Sequence, residues 1–220
     1  MKYNIKIGIP ISKMCYSVAF MVILSLIRGI SNIEDIGVAM DANVSLLAII
    51  FCADTYYQEI QGNRWEVFQM LAKSQRYRTI CQRLLIECVF ITLLVMVGYW
   101  MFYLQQPKLF SETNKLLLYE IAVFACSASA LMFGTLSFTL VNVFKSLWAG
   151  IGSSVLIWII LNSTIGKKLP DMINVFAYGD SNSDTSTLIG DWIEGKIFAA
   201  IFTVLLLLIN MRLLNWKRKG

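Results

Sequence analysis

The sequence predicts an all-α integral membrane protein. Of its 220 residues, 57% are hydrophobic and only 15% are charged, with a mean hydropathy of +0.64. Soluble globular domains carry about 25% charged residues. The apolar residues are also collected into runs near or above the ~17–25 residues that cross a bilayer as a helix. We therefore expect one transmembrane domain over residues 1–220, without a separate soluble domain.

Six transmembrane helices are predicted, here called spans 1 to 6. Five rest on long apolar runs, whereas span 2 is weaker because it carries Asp54 and Glu59. The N-terminal lysines before span 1 resemble a secretory signal, but no small-residue cleavage site follows, so an uncleaved helix is expected. In chain order the spans cover residues of about 14–31, 43–60, 82–105, 116–143, 146–165 and 196–214.

The basic residues predict the orientation of these spans. With the N-terminus inside, 13 of the 19 Lys and Arg residues fall on the cytoplasmic side, and cytoplasmic flanks carry the excess of positive charge in membrane proteins. Both termini are therefore expected in the cytoplasm. The remaining basic residues are assigned to the outer side: Arg28, Lys108, Lys115, Lys167, Lys168 and Lys196.

The composition argues against an enzyme. There is no His, which removes imidazole acid–base chemistry and the commonest zinc ligand. No GxxxxGK[ST] loop is present to cradle nucleotide phosphates. The stretch AYGD at 177–180 is similar to the GxGD signature of intramembrane aspartyl proteases, but Ala177 replaces its first Gly and Asp180 lies in a polar loop. No catalytic residue, metal site or bound cofactor is predicted.

The connection between spans 2 and 3 is a polar, basic segment that has the periodicity of an amphipathic helix. Gly62 marks a break after span 2, as Gly commonly does where a helix stops. From the residues alone, such a helix could lie among lipid headgroups, form a solvated loop, or dock on a cytoplasmic partner. Its apolar stripe is Trp65, Phe68, Leu71 and Ala72, and its polar stripe is Glu66, Gln69, Lys73 and Arg76.

This order of elements resembles the permease of type 2 ABC transporters, also called type V exporters. In that family span 2 ends in Glu, a Gly follows, and a short Glu-containing helix leads through Pro-Ser-Arg into span 3. This chain lacks the family's Pro near Lys73 and has a shorter Glu-to-Gly spacing. The comparable positions are Glu59, Gly62, Glu66, Phe68, Leu71, Ser74, Arg76 and Arg83.

The resemblance implies that the connection is a coupling helix, which docks on separate ATP-binding subunits. The expected partners are two such subunits, which hold the ATP and Mg, a second permease chain in a homodimer or heterodimer, and membrane lipid, but no nucleic acid. It also implies an interfacial N-terminal helix and a short re-entrant helix at 188–195. The docking residues would be Glu59, Gly62, Arg64, Trp65, Glu66, Phe68, Gln69, Leu71, Ala72 and Arg76.

The implied function is ATP-driven export of an amphipathic peptide, such as a toxin or bacteriocin, across a plasma membrane of bacterial type. In the family, spans 2 and 5 line the pathway between two permeases. The alternatives are a lipid or hydrophobic drug as substrate, or a non-transporting immunity or sensor protein whose basic loop binds anionic lipid. The substrate contacts would be Phe51, Asp54, Thr55, Trp158 and Asn162.

Two of the polar residues inside the spans are expected to form ion pairs. A carboxylate near the middle of a transmembrane helix costs about 2.5–3.5 kcal/mol on insertion scales, so it should face protein or water. Asp54 is expected to pair with Arg83 or Arg76. Glu87 lies one helical turn beyond Arg83 and is expected to be its partner.

Overall fold

The computed structural model describes residues 2–60, 70–108, 114–170, 172–179 and 192–213. These residues are helical or lie in turns, apart from an isolated bridge between Asn32 and Lys108, so the predicted all-α class is confirmed. Two short 3₁₀ turns follow α7, at Gly166–Lys168 and Ala177–Gly179. The helices are α1 (Lys2–Gly8), α2 (Ile11–Ile27), α3 (Asp35–Ala53), α4 (Tyr57–Ile60), α5 (Lys73–Tyr103), α6 (Lys115–Phe144), α7 (Leu147–Asn162) and α8 (Trp192–Leu213).

Four of the helices, α3, α5, α6 and α8, are long and apolar enough to cross a membrane. The apolar helices α2 and α7 are shorter, with 17 and 16 residues. A helix of about 20 residues spans the hydrocarbon core without tilt or local thinning. The architecture is therefore that of a helical membrane protein, whose described residues include four helices of membrane length.

Hydrogen bonds between helix ends define two ends of the bundle. The Tyr77 hydroxyl at the start of α5 donates to the carbonyl of Met211 at the end of α8, over 2.8 Å. The Trp158 indole near the end of α7 donates to the carbonyl of Ala42 near the start of α3, over 3.0 Å. We call the first the Lys13 end, because α2, which carries Lys13, begins there together with α5 and α7. We call the second the Lys196 end, because α8, which carries Lys196, begins there together with α3 and α6. The Lys13 end is the side predicted to be cytoplasmic.

Helix α3 is the centre of the bundle. Within its most apolar 18-residue window 72% of the residues are buried, against 28% for the same window of α8. It packs most extensively against α6. The two helices come close at Gly134, where a Cβ atom would lie 2.9 Å from the Sγ of Cys52. Small residues of this kind let helices approach in lipid, where packing replaces the hydrophobic effect as the source of association.

The boundaries of span 2 were predicted wrongly. Helix α3 covers Asp35–Ala53 rather than 43–60, and the chain then turns at Asp54 before the short helix α4. Asp41 and Asn43 interrupt the apolar pattern, which placed the predicted start too late. Asp54 consequently lies at the end of α3 and not within it.

The other observed helix boundaries lie closer to the predicted ones, except where polar residues that precede an apolar run are also helical. Helix α5 begins at Lys73 instead of 82, and α2 begins directly after Pro10. Pro10 also separates α2 from α1, so the N-terminal segment that precedes span 1 is divided between two helices. Helix α8 begins at Trp192, which makes 192–195 its first turn, while the rest of the predicted re-entrant helix, 188–191, lies outside the described residues.

Candidate functional site

The most distinctive feature of the bundle is a pair of buried ionic clusters, one at each end of α3. The first is built on Lys13, which lies in the first turn of α2 and is only 4% exposed. Its ammonium group forms ion pairs with Asp54 and with Glu87, the latter over 3.1 Å. It also donates to the Phe51 carbonyl over 2.6 Å. This Lys13 cluster therefore ties α2 to the end of α3 and to α5.

Polar neighbours complete the coordination of both carboxylates in the Lys13 cluster. Glu87 is fully buried, and its second oxygen accepts a hydrogen bond from the Thr55 hydroxyl over 2.5 Å. The side-chain amide of Gln58, in α4, donates to Asp54 over 2.5 Å. A buried ion pair requires such additional hydrogen bonds, because each ion has lost its hydration. Thr55 and Gln58 belong to the segment that leaves α3 towards the undescribed residues 61–69.

Lys13 contacts both carboxylates. The sequence predicts Arg83 or Arg76 as the partner of Asp54, and Arg83 as the partner of Glu87. By its sequence position Lys13 is one of the N-terminal flanking charges, because it immediately precedes the apolar run of span 1. In the fold, α2 begins at Ile11 and Lys13 is part of it.

The second cluster is built on Lys196, near the start of α8. Lys196 is completely buried, and its ammonium group lies 2.5 Å from a carboxylate oxygen of Asp41 and 2.6 Å from the Ser129 hydroxyl oxygen. Asp41 belongs to α3 and Ser129 to α6. This Lys196 cluster therefore joins three helices of membrane length. The outer-side assignment of Lys196 stays a prediction, and its side chain lies within the bundle.

A cavity of about 280 Å³ lies beside the Lys196 cluster. Within the described part of the chain, its walls combine aromatic rings, amide side chains, basic residues and the carboxylate of Asp41, which is paired with Lys196. It is lined by Arg28, Val38, Asp41, Ala42, Asn43, Trp158, Leu161, Asn162, Lys167, Asn174, Phe176 and Gly179.

The five predicted substrate contacts fall into two separate groups. Phe51 and Thr55 are buried and adjoin the Lys13 cluster, to which Asp54 contributes directly. Trp158 and Asn162 instead line the cavity at the Lys196 end. Along α3 the distance from Asp41 to Asp54 is about 20 Å at 1.5 Å per residue. The structure therefore does not bring these five residues into one site.

Most of the predicted docking residues lie outside the described residues: Gly62, Arg64, Trp65, Glu66, Phe68 and Gln69. Glu59 belongs to the short helix α4, which leads into that undescribed segment. Beyond the segment, Leu71 and Ala72 are exposed, and Ala72 is the N-terminal cap of α5. Arg76 lies in the first turns of α5 and is half-buried.

Sequence reasoning missed the Lys196 cluster altogether. A signal was present, because Lys196 is the first residue of predicted span 6 and Asp41 lies two residues before the predicted start of span 2, and both spans begin on the predicted outer side. Two opposite charges at the same depth of a bilayer are expected to pair, since either one alone is costly there. Because the predicted spans 2 and 6 begin at residues 43 and 196, Asp41 falls in a predicted loop and Lys196 lies at the edge of one.

No family model or curated protein matches the sequence, and no solved structure matches the fold.

Proposed function

We propose that this chain is the membrane subunit of an ATP-driven exporter, which moves an amphipathic peptide out of the cell with separate ATP-binding subunits as its motor. The chain has no phosphate-binding loop, so the energy must enter through a partner. The resemblance assigns that entry point to the connection between α3 and α5. Two copies of the chain, or this chain and a second permease, would enclose the pathway.

The observation that supports this proposal is the position of the Lys13 cluster. The connection leaves α3 through Asp54 and Thr55 and re-enters the bundle through α5, which carries Glu87. Lys13 joins both sides of the connection to α2. A displacement of the connection would therefore be transmitted to three helices through short polar contacts.

Such a link meets a physical requirement of alternating access. A partner can shift the balance between two helix arrangements only by as much as it binds one of them better than the other. That difference in binding free energy must reach the membrane helices through contacts that depend on geometry. Ion pairs and hydrogen bonds have this dependence, whereas contacts between apolar side chains tolerate sliding.

The decisive experiment removes the predicted aromatic anchor of the docking helix. The full chain is co-expressed with a candidate ATP-binding subunit, purified in mild detergent, and assayed for association and ATP hydrolysis. Buried aromatic anchors at interfaces contribute about 2 kcal/mol or more each. Trp65→Ala combined with Phe68→Ala is expected to weaken association more than tenfold and to abolish substrate-stimulated ATP hydrolysis.

The matched control is Phe144→Ala combined with Trp148→Ala. These residues flank the short turn between α6 and α7 at the same end of the bundle, and they are 51% and 80% exposed. This variant should retain association and hydrolysis. If the Trp65 and Phe68 variant still binds the nucleotide-binding protein like the wild type, the docking assignment fails. A wild-type chain that associates with no ATP-binding subunit would instead favour the non-transporting immunity or sensor protein.

A further inference from the structure

We propose that the cavity at the Lys196 end binds a single neutral sugar ring, either a soluble sugar or the headgroup of a glycolipid. This inference does not depend on the proposed transport function, because it rests on the lining and the size of the cavity. The ligand chemistry is a compact ring with hydroxyl groups around its edge and apolar C–H groups on its faces.

The amide side chains of the lining offer donors and acceptors on different walls. In the loop after α7, Asn174 is only 4% exposed, and its side-chain oxygen accepts from the Phe176 backbone N–H over 3.1 Å, which leaves its amide N–H groups as donors. On α3, the Asn43 amide nitrogen donates to the Ala39 carbonyl over 2.7 Å, which leaves its side-chain oxygen as an acceptor. A hydroxyl group both donates and accepts, so a ligand with several hydroxyls suits both walls.

Asp41 adds a further acceptor to the α3 wall. The Lys196 ammonium lies 2.5 Å from its Oδ2 atom, whereas Oδ1 is buried and accepts no hydrogen bond from the described residues. A buried acceptor without a donor is costly. Because Lys196 already neutralises the carboxylate, a second cation at Oδ1 would be repelled by the ammonium group. A neutral hydroxyl is therefore the donor that suits this atom.

The basic residues of the lining do not require a charged ligand. Lys167 already has an interaction partner within the protein. Arg28 is exposed at the C-terminal end of α2, where water and salt screen its charge. Its guanidinium N–H groups also donate to uncharged oxygens such as those of hydroxyls. Hydrogen bonds rather than net charge are thus expected to select the ligand.

Aromatic rings give the cavity apolar walls of fixed orientation. The Trp158 indole N–H donates to the Ala42 carbonyl over 3.0 Å, which holds the ring against α3. Phe176 stacks on Phe133, with 5.6 Å between the ring centroids. Burying apolar C–H groups against such rings is favourable. A sugar ring can place its apolar face there while the hydroxyls at its edge reach the polar walls.

The cavity has the size of a single ring rather than that of a peptide. Its volume of about 280 Å³ lies at the lower limit of ligand pockets, which are roughly 300–1,000 Å³. Each peptide unit offers one N–H and one C=O, whereas a sugar ring presents hydroxyls around its whole edge. The lining amides Asn43, Asn162 and Asn174 lie on α3, on α7 and in the loop that follows α7. A ligand with polar groups on several sides fits this distribution.

The test measures binding of methyl β-D-glucoside and methyl β-D-galactoside to the full chain. The protein is placed in phosphatidylcholine nanodiscs prepared without sugar detergents, and binding is followed by saturation-transfer NMR. Saturable binding of at least one glycoside is expected, with the strongest transfer to the C–H protons of one ring face. If neither glycoside binds saturably, the cavity holds only water and the proposal fails.

Two variants with matched controls locate the binding in the cavity. Trp158→Leu removes the indole wall and should weaken binding about tenfold, whereas Trp148→Leu, at an 80% exposed position of α7 outside the lining, should leave it unchanged. Asn162→Phe fills the cavity from an exposed position and should abolish binding, while Ile159→Phe, on the same helix and outside the lining, should not. Equal effects of each variant and its control would contradict a site in the cavity.

Competitors distinguish a neutral sugar from other ligands. Methyl β-D-glucuronide, which adds a carboxylate to the glucoside, should bind no more tightly than the glucoside itself. Tenfold tighter binding would show that charge selects the ligand and would overturn the neutral assignment. An N-acetylated and C-amidated tripeptide should not displace the bound glycoside. Displacement by this tripeptide would identify backbone amides as the preferred ligand and overturn the sugar assignment.

A glycolipid identifies the source of the sugar. Nanodiscs are prepared with a low mole fraction of monoglucosyl or monogalactosyl diacylglycerol, matched to the glycoside that binds, and the titration is repeated. Reduced binding of the free glycoside would assign the site to a lipid headgroup, and unchanged binding would assign it to a soluble sugar. Either result supports a sugar site.

Discussion

Removing the charge of Lys196 should destabilise the bundle far more than an ordinary substitution. Lys196 is completely buried, and Asp41 is only 2% exposed. In Lys196→Met the Asp41 carboxylate loses its counter-ion, which lies 2.5 Å away, and Ser129 loses the group that donates to its hydroxyl oxygen. Breaking one partner of a buried pair costs about 3–5 kcal/mol, because the remaining charge stays desolvated.

A double-mutant cycle isolates the ion pair from the loss of packing. Asp41→Asn keeps the size of the side chain and leaves the Lys196 ammonium without its anion, so it should cost a similar amount. In the double variant no unpaired charge remains, and most of the loss should be recovered. We expect a coupling free energy of about 3 kcal/mol, whereas hydrogen bonds between transmembrane helices average about 0.6 kcal/mol.

The assay is equilibrium unfolding of the purified protein in mixed micelles with increasing denaturing detergent, followed by circular dichroism. Lys168→Met, at an exposed residue of the 3₁₀ turn after α7, is the control and should change the free energy of unfolding by less than about 0.5 kcal/mol. Additive effects of the two cluster substitutions, within about 0.5 kcal/mol, would refute the ion-pair reasoning.

Two further predictions concern packing and orientation. Gly150→Ala should cost about 1–3 kcal/mol in the same unfolding assay, because its Cβ would lie 2.3 Å from a Val141 methyl carbon and 2.6 Å from the Val141 backbone. Gly152→Ala, in open space on the same helix, should be neutral or slightly stabilising, and equal losses at both positions would contradict the described packing. In a cysteine-free background, a membrane-impermeant maleimide should label Lys168→Cys in intact cells, but Lys145→Cys only after permeabilisation. The reverse pattern would invert the predicted orientation.

Hydropathy located the helices of this protein because each apolar run is long compared with the polar segments between them. It failed where a helix continues through polar residues. Helix α5 extends from Lys73 through nine residues that precede its predicted start, and α3 includes Asp41 and Asn43. A hydropathy pattern distinguishes residues that face lipid from residues that face water. The polar residues of these helices either face other parts of the protein or lie before the apolar run, so hydropathy does not mark them as helical. The ends of helices therefore could not be derived from apolar runs alone.

The candidate sites were less predictable than the helices. Asp54 was recognised as a polar group that requires a partner, yet its cation comes from Lys13, 41 residues earlier in the chain. The Lys196 pair joins residues 155 positions apart. Pairing at such separations depends on which helices are neighbours, and several apolar helices allow many arrangements with the same hydropathy pattern. Only the packing of α3 between its neighbours brings these charges together.

The two ionic clusters also restrict how α3 can move. Apolar contacts between helices are non-directional, so they oppose a shift of α3 along its axis only weakly. The clusters add contacts that do not survive such a shift. A translation by one helical turn, about 5.4 Å, would separate Asp41 from Lys196 and Asp54 from Lys13 at the same time. A tilt about one end breaks only the cluster at the opposite end, and therefore leaves only one pair of charges without partners. Because an unpaired buried charge costs several kcal/mol, tilting is the less costly motion of the central helix.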